Sequence, residues 1–196
     1  ISDMFHQLVQ FDHTLLHFFN SSISNPVFDW FMPLITNQNN WFIPLLILIY
    51  CLLFRGKKRG RITFAILIIT TILIDAVAAQ IIKPMIGRIR PSHAIPDMIN
   101  LLVPPGGKFS FVSNHAANAF GLSVILGYFY PAWKWKVTGI AFIIAFSRVY
   151  VGVHYPADIF FGGLFGYGTA WVILSLWVVL KMRELKRGRK WVWYET

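Results

Sequence analysis

Apolar positions along the chain fall into runs long enough to cross a bilayer, and the polar positions gather between them. A span needs about 20 mostly apolar residues, or fewer where the flanks help. The stretch 41–54 is one such run, and residues 27–40 either lengthen it or form a short helix before it. Further runs cover 62–82, 116–130, 137–153 and 159–180. The first 20 residues alternate differently: Phe5, Leu8, Val9, Leu15, Leu16, Phe18 and Phe19 are interspersed with Asp3, His6, Gln7, Asp12, His13 and His17. That pattern predicts an amphipathic helix in the membrane interface, with its histidines on the polar face. The expected architecture is an all-α integral membrane bundle of five or six transmembrane helices plus this N-terminal helix. It forms one domain over 1–196.

Composition supports the membrane reading. Of 196 residues, 56% are hydrophobic and only 13% charged, which excludes a disordered chain and argues against an ordinary soluble enzyme. The formal net charge is nevertheless +10. Thirteen of the 18 basic residues lie in three inter-span segments: Arg55 to Arg61, Lys134 with Lys136, and Lys181 to Lys190. With five spans these segments share one side, cytoplasmic by the positive-inside rule. No folded soluble module presents them, so nucleic acid is not an expected partner. Trp30, Trp41, Tyr130, Trp133, Trp135, Trp191 and Trp193 near span ends suit interfacial anchoring. The single cysteine, Cys51, permits no intrachain disulfide, and no signal peptide is expected at Ile1.

The other five basic residues, Lys83, Arg88, Arg90, Lys108 and Arg148, fall on the opposite side with His93, His115, His154 and Asp158. Forked guanidinium groups suit phosphate oxygens, and two imidazoles can supply a nucleophile and a proton donor. A zinc site from His115, His154 and Asp158 is chemically conceivable, but a basic pocket repels a dication. Asp75 lies inside the second span, where a structural hydrogen bond is expected. Gly162 and Gly166 form a small-xxx-small pair that permits close helix approach within the bundle, or at a dimer seam. Around Pro104–Phe109 a Pro/Gly loop is expected to border a lipid entrance, with Lys108 attracting a headgroup.

The spacing adds more. Lys83 to Pro91 reads K-x6-R-P; Ser113-Asn114-His115 opens the third span; Ser147 to Asp158 reads S-R-x5-H-x3-D. In these residues the chain resembles the type-2 phosphatidic acid phosphatase superfamily, over roughly 60–180. The resemblance implies a phosphatase that needs no metal and no cofactor. It implies His154 as nucleophile forming a phosphohistidine, Asp158 fixing its tautomer, and His115 protonating the leaving oxygen. Lys83, Arg90 and Arg148, with the Ser113 hydroxyl and backbone amides at Ser113 and Asn114, would hold the phosphoryl group. The family's second motif reads P-S-G-H, and here Asn114 replaces the glycine. The expected activity is hydrolysis of the terminal phosphate of a membrane lipid phosphate or diphosphate on the outer face of the cell membrane. Phosphatidylglycerol phosphate, phosphatidate, undecaprenyl diphosphate and lipid A phosphates are the candidates. A lipid phosphotransferase and a non-catalytic lipid-phosphate binder or transporter are the alternatives.

Overall fold

The computed structural model describes residues 2–189 and 191–192, so Lys190 and Trp193 lie outside the described residues, as does the side chain of Phe5. The described residues are almost entirely helical, and Ile89 and Phe109 form an isolated antiparallel bridge. α1 (Ser2–His17) runs through a π-helical turn into α2 (Pro26–Thr36). A 3-10 turn, Gln38–Trp41, leads into α3 (Phe42–Tyr50), which continues to Arg55. α4 (Lys57–Val77), a π turn and α5 (Lys83–Ile86) make one rod, followed by the single-turn α6 (Pro91–Ala94) in the outer loop. α7 (Asn114–Phe129), α8 (Lys134–Tyr150) and α9 (Pro156–Lys186) complete the bundle.

Local chemistry sets these boundaries. Asn25 caps α2 by accepting from the backbone N–H groups of Val27 and Phe28, at 3.1 Å each, ahead of Pro26 in the first turn. Ser113 caps α7 through its hydroxyl. Pro156 opens α9, and the Asp158 carboxylate reaches back to the Tyr155 N–H at 2.9 Å.

Among the described residues, three segments are long and apolar enough to cross a membrane: Gln38–Arg55, Lys57–Ile86 and Pro156–Lys186. The expected runs at 116–130 and 137–153 appear as α7 and α8, with 16 and 17 residues. Their shortness has a physical reason in α7, which packs against α4, α8 and α9 and buries Ala116, Ala117, Gly121, Ser123 and Ile125. A helix enclosed by protein has little lipid-facing surface to make apolar. Outward faces elsewhere are strongly apolar: Ile43 and Ile47, Ile68, Ile69 and Ile72, Leu164, Val172, Leu176 and Val179 are all exposed. Exposure of that much apolar surface fits lipid as the surrounding solvent.

The bundle has two chemically different ends. At one, Leu52, Phe129, Trp177 and Val192 share a core cluster, and the Arg59 guanidinium sits 4.3 Å from the Tyr130 ring centroid. The three basic segments therefore converge at this end. The other end gathers the motif residues.

α1 departs from expectation in its facing. Met4, Leu8 and Phe11 point outward, as an interfacial helix requires, but Asp12 is only 7% exposed and the His13 ring stacks 5.0 Å from that of Tyr155. Asp12 and His13 thus face protein, because a charged partner waits beneath them.

Candidate active site

The segment after α5 builds the first wall. Arg90 N–H donates to the Lys108 carbonyl at 3.0 Å and Ser110 N–H to the Arg88 carbonyl at 2.8 Å, so 88–90 and 108–110 run antiparallel. Extended backbone alternates its side chains, which sends Arg88 and Arg90 to the same side. Arg90 donates from Nε to the Phe109 carbonyl at 3.1 Å and from a terminal nitrogen to the Val153 carbonyl at 3.4 Å. Lys83 Nζ donates to the carbonyls of Val112 at 2.7 Å and Ser110 at 3.3 Å.

The second wall is the junction of α8 and α9. Backbone N–H groups of Val153 and His154 both donate to the Arg148 carbonyl at 3.2 Å, curling the chain back on the helix end. Gly152 turns this corner with φ of +81°, and an added Cβ would meet the Asn100 carbonyl at 3.2 Å. His154 is 1% exposed and its Nδ1 lies 3.3 Å from Asp158 Oδ2, while Asp158 is fully buried. Burial holds the His154 imidazole well below its ordinary 6.5, and the fields of Arg90, Arg148, Lys83 and Arg88 push the same way. The low pKa favours the neutral ring at pH 7, the form of an imidazole that carries a free lone pair.

α7 supplies the third wall. Ser113 is fully buried; its N–H donates to the Asp158 carbonyl at 3.1 Å, tying α7 to the first turn of α9. The Asn114 side chain turns away from the phosphate side and donates to Asp75 at 2.8 Å, and Asn118 donates to the same oxygen at 2.9 Å. Asp75 thus makes the intrabundle hydrogen bonds expected of it. The part of Asn114 left for a ligand is its backbone.

Electrostatically, one feature dominates. Among the described residues Lys83, Arg90 and Arg148 form no ion pair; they donate to neutral carbonyls and, for Arg148, to the Thr36 hydroxyl. Arg148 Nε is buried with no hydrogen-bond partner among the described residues. Three part-buried cations with neutral partners leave an uncompensated positive site, and charge of that density calls for an anion.

Residues 63–182 match the family model described as the PAP2 superfamily. The chain belongs to the PAP2 superfamily. Its relatives include the lipid A 4'-phosphatase of Bacteroides thetaiotaomicron, 32% identical over 173 residues, covering 84% of this chain and 76% of that protein. The undecaprenyl-diphosphatase of Sulfolobus acidocaldarius is 32% identical over 117 residues, covering 59% and 54%. Among solved structures, Aquifex aeolicus LpxE superposes with a TM-score of 0.65 at 26% identity, covering 83% of this chain and 93% of that one. A transmembrane PAP2 type phosphatidylglycerolphosphate phosphatase from Bacillus subtilis, at 24% identity and a TM-score of 0.64, shares the fold. This PAP2 chain is an integral membrane phosphatase.

Sequence reasoning missed two contributors to the PAP2 site, Thr36 and Gln38, and placed Arg88 on this basic face without its partner. Gln38 Nε2 lies 3.3 Å from His115 Nε2, Thr36 is the Arg148 partner, and Arg88 bonds Asp158 at 3.0 Å. Arg88 had one sequence cue: it stands two residues before Arg90 in extended chain. Thr36 and Gln38 had none, because they reach the site from more than 70 positions away. His93 is exposed, with Nε2 3.3 Å from the Gly106 carbonyl, and Lys108 is exposed near Phe109.

Proposed function

We propose that this PAP2 phosphatase hydrolyses the terminal phosphate of a lipid phosphate or diphosphate through a phosphohistidine on His154. The observation that carries the reading is the set of Lys83, Arg90 and Arg148 around a buried neutral imidazole, with no carboxylate paired to any of the three among the described residues. In-line attack by His154 on phosphorus spreads negative charge over the equatorial oxygens, and these cations meet it where it develops. Asp158 on Nδ1 fixes the tautomer and leaves Nε2 with the lone pair, then stabilises the imidazolium form. His115 gives a proton to the departing oxygen and afterwards takes one from the water that cleaves the phosphohistidine. The Ser113 hydroxyl and the backbone at the start of α7 complete the phosphate cradle.

The reading of the substrate as a membrane lipid is supported by the gathering of the motif residues at one end of a bundle whose flanks are apolar. The relatives act, by name, on lipid A phosphates and on undecaprenyl diphosphate, and these classes lead the panel for this chain. The convergence of the basic segments at the opposite end supports, by the positive-inside rule, a site that faces the exterior of the cell membrane. Phosphate release in detergent, with chelator present, should be measured across lipid A, undecaprenyl diphosphate, phosphatidate and phosphatidylglycerol phosphate for wild type and His154→Ala. Turnover of at least one lipid by the wild type and its loss in His154→Ala are expected. Near-native activity in folded His154→Ala would sink the mechanism.

A further inference from the structure

Among the described residues Arg88 is the one cation of the site with anionic partners, and that sets it apart from Lys83, Arg90 and Arg148. One terminal nitrogen donates to Asp158 Oδ1 at 3.0 Å and the other to Asp12 Oδ2 at 2.6 Å. Its guanidinium lies 3.8 Å from the centroid of the Tyr155 ring, which itself faces His13. The second Asp12 oxygen accepts from the Ala157 N–H at 2.8 Å, in the first turn of α9. Asp158 is thereby held on both oxygens: Oδ2 by the Tyr155 N–H and His154, Oδ1 by Arg88. Asp12 sits on α1, outside the matched region 63–182.

We propose that Asp12 and Arg88 are positioning residues that lock the Asp158 carboxylate against His154, making the N-terminal helix part of the catalytic apparatus. The inference rests on the His154 mechanism proposed above. A carboxylate buried with one oxygen unpartnered can rotate to find another donor, and it then no longer presents Oδ2 to the imidazole. Arg88 removes that freedom by occupying Oδ1. Asp12 removes the same freedom from Arg88, fixing its fork by a second short bond and by the tie to Ala157. Positive and negative charges alternate along the chain from Asp12 through Arg88 and Asp158 to His154. The imidazolium that forms during attack therefore adds to an ordered row, without leaving an isolated buried charge. Because both Arg88 arms are committed to carboxylates, Arg88 is not available to substrate phosphate. Its loss should slow turnover and leave substrate affinity alone.

The test uses the full-length protein in detergent and a lipid that the wild type turns over. At metal-bound histidines, partners one layer out typically cost roughly 10- to 100-fold when removed, and a comparable loss is expected here. Asp12→Asn, which keeps the shape, should lower kcat at least about tenfold with KM within about twofold. Arg88→Ala should lose as much or more and regain activity in millimolar guanidinium, since the Arg88 side chain is 22% exposed and the site can be entered. Wild-type kcat in Asp12→Asn, a loss carried by KM, or an Arg88→Ala protein with wild-type melting that guanidinium does not rescue would each overturn the proposal. If Arg88→Ala does not fold, Asp12→Asn decides alone. His154→Ala run in parallel separates the layers: activity surviving there refutes the mechanism, whereas activity lost there but kept in Asp12→Asn refutes only the positioning pair.

Discussion

The separation of His115 on α7 from His154 beside α9 rests on two glycines, and alanine at each should fail in a graded way. A Cβ on Gly166 would lie 1.8 Å from the Ala117 carbonyl oxygen, and one on Gly162 would lie 2.7 Å from the Ser113 oxygen and 3.2 Å from its nitrogen. Ordinary contact begins near 3.4 Å. Gly166→Ala therefore demands that α7 and α9 separate by about 1.5 Å, and Gly162→Ala by about 0.5–0.7 Å, against a close-packed neighbour. Overpacking of this kind costs about 1–3 kcal/mol, occasionally more, offset by the roughly 0.5–1 kcal/mol that Ala gains over Gly in a helix. Gly162→Ala strikes Ser113, whose N–H is bonded to the Asp158 carbonyl at 3.1 Å, so its effect should appear in kcat before stability. A 1 Å misplacement of reacting groups costs about 100-fold, so a loss of roughly 10-fold or more is expected for Gly162→Ala. Gly166→Ala should lose both activity and melting temperature. Gly168→Ala, with open space around its Cβ, is the matched control on the same helix and should behave as wild type or melt slightly higher. The assay is phosphate release beside thermal melting in one detergent. Gly166→Ala with wild-type melting and kcat would refute the packing argument.

Other expectations concern neighbouring polar groups. Asp75→Leu removes the acceptor of two amides, Asn114 and Asn118, at about 1–3 kcal/mol each, and should lower the melting temperature more than Asn114→Gly, which leaves Asn118 paired; equal shifts would contradict the shared acceptor. His154 is held below 6.5 in the fold, so the unfolded chain takes up a proton there that the native state refuses. Stability from this residue is accordingly present above pH 6.5 and lost as pH falls below it; melting between about pH 7.5 and 5.5 should fall less steeply in His154→Gln than in wild type, and equal slopes would contradict a depressed pKa. Lys108→Ala should weaken turnover of long-chain lipid phosphates more than short-chain ones; unchanged kinetics on both would remove the entrance role.

How much of this was legible in the sequence follows from how local each feature is. The apolar runs became α3, the α4–α5 rod and α9 because lipid imposes its requirement residue by residue. α7 carried a weaker signal, since Ala116, Ala117, Gly121 and Ser123 answer to neighbouring helices and only partly to solvent. The motif residues were legible because phosphate chemistry restricts residue type at fixed spacing. Asp12 was legible only in part: at 100° per residue it falls on the apolar face of α1 with Leu16 and Phe19, opposite Asp3, but the partner that lets a carboxylate be buried there is Arg88, 76 positions later. The Asn114 substitution was visible, but its partner was not, because Asp75 lies 39 residues away on another helix.

The contacts from outside the stretch matched to the family bear on selectivity. Asp12 holds the Arg88–Asp158 pair, Thr36 holds Arg148, and Gln38 stands against His115, yet all three precede residue 63, where the family match begins. The motifs bind a phosphoryl group and move its electrons, and every substrate in the panel carries that group. Discrimination must therefore come from surfaces that meet the rest of the molecule. In the proposed mechanism His115 protonates the leaving oxygen, and on that reading whatever touches His115 from outside the motifs borders the leaving group. Gln38 does so with an exposed amide that both donates and accepts. Polar hydroxyls on a leaving group can exchange hydrogen bonds with that amide, whereas a bare prenyl phosphate offers it fewer partners. The first 40 residues are thus where this chain's choice among lipid phosphates is to be sought, and the motifs are where its chemistry resides.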